Sequence, residues 1–393
     1  MTTLLLAIVP VALLNRPVVT TAWGKYGHEI IGNIAYRRLS PKSKNTVDSI
    51  LGVDEVVTSS IGGAAEDPKP DPLHDETPLA AIANWADKVR FTSEYHWTFQ
   101  LHFVDVKDGD IDGGCPCTEP AVENFQYLLT GGENEVDDPP HYCVMRSASS
   151  CWVNYERDCK GDFCAIGAIT NYTERLRKYS SMSTSKHDLL RGSKSSSAGL
   201  YTKEALMFLT HFVGDIHQPL HSSRGTDRGG NAIHVDFKDY HLYGGHHGLH
   251  IPRKDQWNLH AVWDDGIINR AISLMYNSSE NAFEASVREV VTNAEVSGLI
   301  DDWLRCADGL AVECPLAWAE ESLDDALRWA YSNENGIEIT DGANITDAYF
   351  NTRLHVVRNR LAAAGVRLAN AIEIVLGEKI VVPESRSSQY IVW

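Results

Sequence analysis

The chain carries two copies of one device suited to holding a metal ion. In His211-Phe-Val-Gly-Asp215 an imidazole and a carboxylate stand four residues apart, and His260-Ala-Val-Trp-Asp264 repeats the spacing. On a helix, residues at i and i+4 share a face one turn apart, so both groups can turn towards one cation. Six residues past Asp215 comes His221, in His217-Gln-Pro-Leu-His221, after Pro219 has stopped the helix. One such pair arises often from ordinary pairing on helix surfaces. Two copies, each in an apolar helix-like context, point to metal.

Three further segments carry groups compatible with that chemistry. Trp23-Gly-Lys-Tyr-Gly-His28 places a histidine five residues after a tryptophan that export processing would make the mature N-terminus. A free α-amino group and the carbonyl oxygen of the same residue chelate a cation in a small ring. Asn84-Trp-Ala-Asp87-Lys-Val-Arg90 offers a carboxylate and, one turn on, a guanidinium suited to phosphate oxygens. In Leu101-His102-Phe103-Val104-Asp105 successive side chains face opposite sides if the segment is extended.

Composition narrows the class. The 393 residues are 43% hydrophobic and 22% charged, a globular balance. Thirty-five Lys and Arg against 53 Asp and Glu give a formal charge of −18, which speaks against a broad basic surface for nucleic acid. It leaves open an approach to phosphates through bound cations. Leu4 to Leu14 is an apolar stretch followed by Thr20-Thr21-Ala22, so residues 1–22 read as a signal peptide. The eight cysteines agree with export to a secreted or secretory and vacuolar location. Cys115, Cys117, Cys143, Cys151, Cys159 and Cys164 crowd together without a zinc-finger spacing, and Cys306 and Cys314 follow as an expected local bridge. Sequons at Asn171, Asn277 and Asn344 suit a glycoprotein.

The elements that must position these groups are mainly helical. Apolar spacing predicts helices over 25–39, 201–219 and 347–377, the last capped by Asp347 and ended by Gly377. Residues 62–78, 107–164, 179–198 and 222–257 read as loops, with a short strand-like piece at Ile233 to Phe237. No repeat or linker divides the chain. It reads as one mainly α-helical domain over 23–377, with long disulfide-stabilised loops and a tail at 378–393.

Taken in order, the Trp at the mature N-terminus, GxxGH, WADxxR, LHFVD, HxxxDxHQPLH, GGN and NLHxxWD resemble the zinc-dependent class I nucleases. These are the secreted fungal single-strand-specific nucleases and the plant bifunctional nucleases. The plant branch is nearer, through Asp158-Cys159, Cys164-Ala-Ile-Gly-Ala-Ile-Thr-Asn171-Tyr-Thr and Ala348-Tyr-Phe-Asn351-Thr-Arg. The resemblance runs from Trp23 to about Leu376 and implies a helical fold shared with zinc phospholipases C, with three zinc ions at the bottom of a cleft. Carried over by position, Asp87, His102, His211 and Asp215 would hold one zinc. Trp23, through its amino nitrogen and carbonyl oxygen, would hold a second with His28, Asp215 bridging the two. His221, His260 and Asp264 would hold the third. His217, inside the motif but not a ligand, reads as packing behind them.

The resemblance further implies a single-strand-preferring endonuclease, with 3′-nucleotidase activity, acting on DNA and RNA. A hydroxide bridging two zincs would attack phosphorus and leave 5′-phosphate products. Arg90 would bind a phosphate oxygen, Phe103 would stack a base and Asp105 would bond its edge, while Lys107 and Asn258 are further candidates for substrate contacts. His234, His241, His246, His247 and His250 lie in a long loop read as solvated. A monomer without membrane or stable protein partner is expected. A zinc phospholipase C, or a secreted zinc-binding glycoprotein without turnover, are the rival readings.

Overall fold

A computed structural model describes residues 23–52, 76–107, 152–182, 197–237, 257–305 and 312–377. Residues 1–22, the tail 378–393, Cys115, Cys117, Cys143, Cys151, Cys306 and the histidines at 241–250 lie outside the described residues. The helices are α1 (Lys25–Arg38), α2 (Pro41–Leu51), α3 (Pro78–Ile82), α4 (Trp85–Val89), α5 (Tyr155–Asp158), α6 (Ala165–Met182) and α7 (Ser197–Asp215). They continue as α8 (Leu259–Ala261), α9 (Ile267–Met275), α10 (Glu280–Ser297), α11 (Leu299–Leu304), α12 (Glu313–Asp325) and α13 (Asp347–Leu376). Among the described residues, no helix is long and apolar enough to cross a membrane.

The mainly helical expectation holds, with two boundaries corrected. The helix expected over 201–219 spans Ser197–Asp215 and stops before Pro219, which instead opens a short 3-10 turn, Pro219–His221. A proline lacks an N–H and clashes with the carbonyl four residues back, so the α-helix yields well before it. Asp347 is not the cap of the last helix: Thr346 is, its hydroxyl accepting from Tyr349 N–H, and Asp347 lies in the first turn.

Helix α1 is buried from Tyr26 through Ala35, its polar His28, Glu29 and Asn33 included. Two close approaches seat it. A Cβ on Gly365 of α13 would come 2.6 Å from Ile34, and one on Gly32 would come 2.7 Å from the Ala80 backbone of α3. Glycine therefore lets α1 lie between the two. On the other flank, Tyr172 of α6 stacks on Phe208 of α7 at 4.8 Å, and Phe208 stacks on Phe212 at 5.3 Å.

Among the described residues four three-residue strands complete the frame: β1 (Val104–Val106), β2 (Ser222–Arg224), β3 (Val235–Phe237) and β4 (Ala343–Ile345). β1 pairs parallel with β2 and β3 parallel with β4. The strand-like piece at Ile233 to Phe237 thus forms, but over its last three residues. Cys159 and Cys164 are disulfide-bonded to each other, within the group of six. Cys314 is also disulfide-bonded; its expected partner, Cys306, lies outside the described residues.

The long helix α13 carries Arg353, Arg360 and Arg367, seven residues apart and all buried. Each guanidinium donates to backbone carbonyls of neighbouring segments. Arg353 reaches Trp329, Ser332 and Asn333; Arg360 reaches His217 and Trp318; Arg367 reaches Trp303. Glu321 of α12 receives Arg360 at 2.8 Å and Arg367 at 2.6 and 2.7 Å. Burial would raise the Glu321 carboxyl, but Arg367 and then Arg360 hold it down to about 2.

A carboxyl depressed in the folded state stabilises fully above its ordinary value, here 4.5, and loses that contribution as pH falls towards about 2. Glu321→Gln is therefore expected to flatten the acid limb of the thermal melting profile in that window. At neutral pH it is expected to lower stability. Breaking a buried pair costs about 3–5 kcal/mol. With the Glu321 side chain 43% exposed, solvent screening trims this to about 1–3 kcal/mol. Urea denaturation at neutral pH and at pH 3 would check both limbs.

Candidate metal centre

Seven segments deliver the titratable groups to one buried place. Asp87 lies on α4 and Arg90 just past its end, Nη1 standing 3.3 Å from Asp87 Oδ1. His102 ends a 3-10 helix, His96–His102, and His28 lies in the first turns of α1. His211 and Asp215 close α7, and His221 closes the 3-10 turn beyond it. His260 sits on α8, while Asp264 lies in a π-helical turn, Val262–Gly266, that joins α8 to α9. The wider turn keeps His260 and Asp264 together, with Nε2 3.4 Å from Oδ2.

The histidines are oriented from behind. His211 Nδ1 lies 2.7 Å from the Ala83 carbonyl, His221 Nδ1 2.7 Å from the His102 carbonyl, and His260 Nδ1 2.6 Å from the Gly229 carbonyl. Only an N–H can answer a carbonyl, so each ring keeps a proton on Nδ1 and turns Nε2 inward. Such backing is how proteins aim ligating imidazoles. The strand pair β1–β2 reinforces it, since β1 follows His102 and β2 follows His221.

Around Asp215 the groups converge. His28 Nε2 is 3.2 Å from Oδ1, and His102 Nδ1 and His211 Nε2 are 2.9 and 3.2 Å from Oδ2. His211 Nε2 also lies 3.6 Å, and His102 Nδ1 3.7 Å, from Asp87 Oδ1. A second cluster stands beside it: His221 and His260 face each other with Nε2 atoms 3.1 Å apart, and His221 Nε2 is 3.9 Å from Asp264 Oδ1. The groups fall into three candidate ligand sets: His28, Asp87 and His211; His102, His211 and Asp215; His221, His260 and Asp264.

This arrangement fits metal better than protons. With both Nδ1 protons engaged, His221 and His260 would point two lone pairs at each other, a contact that a cation between them relieves. Both nitrogens of His28, both oxygens of Asp215, Asp87 Oδ1, His102 Nε2 and Asp264 Oδ2 are buried without a hydrogen bond. Electrostatics agree. Burial would raise Asp215, but His211, His102 and His28 hold it well below the usual range. Burial pushes His102 down to about 4 against the pull of Asp215, and His260 down to about 3, where His221 adds to the effect. Burial, then Asp265, push Asp264 well above the usual range, so a cation is needed to keep it ionised. Burial also opposes charge on His211, yet Asp215 and Asp87 raise it to about 10.

Trp23 is fully buried, and the next residue binds the second cluster: Gly24 N–H donates to the Asp264 carbonyl at 2.9 Å. A Cβ on Gly24 would overlap the Asp265 carboxylate, so a side chain there would have to displace it. Among the substrate candidates, Phe103 is half-buried, edge-on to Phe99 at 6.0 Å. Asp105 is exposed on β1, opposite Ser223. Lys107 is exposed, its backbone N–H bound to Asp158. Asn258 has its side chain engaged as the cap of α8, Oδ1 accepting from Ala261 N–H at 2.8 Å. His217 packs behind the centre, Nδ1 at 2.7 Å from the Val213 carbonyl and Nε2 accepting from Arg367 at 2.9 Å.

Three supporting residues escape the sequence reading. Gln218 donates to Asp264 Oδ1 at 2.6 Å and accepts from Leu220 N–H. Gly229 has φ +63 and holds His260 through its carbonyl. Gly214 makes room for His28, whose ring stacks on His211 at 4.1 Å. The signals were present: Gln218 lies between two ligands in sequence, Gly229 in the GGN motif and Gly214 beside Asp215.

With this geometry in place, the relatives follow. The sequence model of the family described as S1/P1 nuclease matches residues 23–377, and the chain belongs to that family. Endonuclease 2 of Arabidopsis thaliana is 31% identical over 375 residues, covering 94% of this chain and 96% of its own. Nuclease P1 of Penicillium citrinum is 26% identical over 360 residues, covering 91% of this chain and 99% of its own. Nuclease S1 of Aspergillus oryzae is 24% identical over 369 residues, covering 93% and 96%.

A Cβ on residue 214 would stand 2.7 Å from His28 Nδ1 and 2.8 Å from its Cε1. Gly214→Ala is therefore expected to displace His28 and weaken metal retention on the order of 10–100-fold, as losses of outer-shell support do. Elemental analysis after dialysis would read it. Unchanged metal content would show that His28 does not hold metal.

Proposed function

We propose that this chain is an exported, zinc-dependent endonuclease that hydrolyses single-stranded DNA and RNA to 5′-phosphate products and also acts on 3′-nucleotides. The observation that carries the reading is the convergence of buried, aimed histidines and carboxylates on three adjoining sets beside a buried arginine, within a chain of this family. Asp87, His102, His211 and Asp215 would hold one zinc, Trp23 and His28 a second with Asp215 shared, and His221, His260 and Asp264 a third. Zinc so bound supplies a Lewis acid and lowers the pKa of water towards about 7, making hydroxide available at mild pH.

The chain's own groups do the rest. Asp215 turns Oδ1 towards His28 and Oδ2 towards His102 and His211, the geometry of a carboxylate that bridges two sites. Arg90 is 3% exposed and its guanidinium lies over Phe91 at 5.1 Å and Phe99 at 5.4 Å. Held between two rings and tied to Asp87, it is oriented to meet a phosphate oxygen and to offset charge that grows in the transition state. Phe103, next along from Phe99, offers a face on which an unpaired base stacks, with Asp105 to bond its edge. Stacking of this kind tolerates any base but needs it unpaired, which favours single strands. Lys107 and Asn258 remain candidates for further contacts to substrate.

Export is supported by the 1–22 segment, the cysteine content and the exposure of Asn171, Asn277 and Asn344, which suits glycan attachment. These support a secreted or vacuolar protein that meets its substrates outside the cytosol, and it is proposed to act as a monomer.

Mature protein starting at Trp23, offered a single-stranded oligonucleotide, is expected to release 5′-phosphate fragments, and a chelator to abolish this. Asp215→Asn is expected to lose at least about 100-fold in rate, the scale on which a preorganised electrostatic group contributes. No cleavage by a sample holding three zincs, with turnover of phosphatidylcholine instead, would transfer the chain to phospholipid chemistry. Retaining one residue before Trp23 is expected to lower both zinc content and rate, because the amino chelate cannot form. Equal zinc and rate in both forms would remove Trp23 from the ligands.

A further inference from the structure

An aromatic pair stands outside the centre with no part in it. Trp97 is 47% exposed and Phe163 is 45% exposed, and their ring centroids are 6.4 Å apart. Large aromatics are ordinarily well buried, so two exposed together are a feature to explain. Both are fixed to residues of the site. Trp97 belongs to the 3-10 helix that ends in His102, and two residues on is Phe99, which contacts Arg90 and Phe103. Phe163 stands two residues before Ala165, whose N–H donates to the Phe103 carbonyl at 3.1 Å. Chain reach thus puts its Cα within about 10 Å of that carbonyl.

The loop that presents Phe163 is held from several sides. The Cys159–Cys164 disulfide brackets it, and Tyr155 Oη donates to Asp162 at 2.6 Å. Gly161 at φ +66 and Asp162 at φ +62 make the tight turn that leaves the Phe163 ring outward. Lys160, exposed and three residues before Phe163 on the same loop, brings a positive charge to that loop. A platform ordered in advance loses little entropy on binding. The pair is therefore tied to Phe103 twice, by the 3-10 helix that carries Trp97 and Phe99 and by the Ala165 bond to the Phe103 carbonyl.

We infer that Trp97 and Phe163 form a second stacking platform, for another base of the same single strand whose phosphodiester lies at the metal centre. The inference rests on the nuclease reading above and extends it from one base to a strand. Its occupant is a nucleobase: flat, apolar on its faces, and linked to a phosphate that Lys160 can meet.

The test compares wild type with Trp97→Ala/Phe163→Ala on oligothymidylates of increasing length and on a dinucleoside monophosphate. The double variant is expected to keep its zinc, its melting temperature and its rate on the dinucleotide. Its KM on longer strands is expected to rise between about 5-fold and 100-fold, the scale of stacked bases removed by alanine. Trp97→Tyr should keep most of the affinity and Trp97→Leu should lose it, since leucine restores apolar area but not a stacking face. Equal KM values for wild type and variant at every length would overturn the platform and leave the nuclease reading intact. Loss on the dinucleotide, or a lowered melting temperature, would make the pair structural and overturn it too. A wild type that cuts neither substrate would overturn both readings.

Discussion

Asp215 is a carboxylate with no solvent exposure at the C-terminal end of a helix, where the helix dipole already places negative charge. Such a group is costly unless cations surround it. Much of the surrounding structure answers that demand. Three imidazoles close on it from α1, from the segment before β1, and from one turn earlier on α7. Asp87, a second buried carboxylate, adds repulsion, and Arg90 offsets part of it. The protein's own cations leave lone pairs facing each other and carboxylate oxygens without donors, the deficit that metal ions remove.

Holding these groups in place is the task of backbone carbonyls and buried arginines. The carbonyls of Ala83, His102 and Gly229 each fix one imidazole, so ligand geometry is set by main chain rather than by flexible side chains. Behind them the arginines of α13 tie neighbouring segments together through their backbone carbonyls. Arg360 grips the His217 carbonyl and Arg367 its ring, two residues past Asp215. Ser322 of α12 donates to the Ile216 carbonyl in the same turn. The exit from α7, which sets the distance between Asp215 and His221, is pinned on three sides.

The sequence exposes what repeats or clusters and hides what depends on shape. The HxxxD spacing is visible because helix periodicity is local, and it brings His211 to Asp215 and His260 to Asp264 even though the second pair sits on a π-helical turn. The extents of α1 and α13 are legible for the same reason. The end of α7 is not, because the chain must leave the helix early to deliver His221. Gly214, Gln218 and Asp265 carry no pattern of their own. Their roles arise from neighbours distant in sequence, as with Gln218 and Asp264, 46 residues apart. Strand partners are hidden likewise: Val235 pairs with Ala343 in parallel, a contact that no local signal announces.

The contacts that close the centre have a kinetic consequence. His211 is fixed by a carbonyl 128 residues away, His221 by one 119 residues away, and His102 meets His211 across 109 residues. Contacts of such separation carry a large loop-closure entropy and form late. During synthesis the segment from Trp23 to His28 leaves the ribosome before the other parts of the centre but cannot complete its docking until Asp264 has followed. The centre therefore comes together only after the helical scaffold is in place.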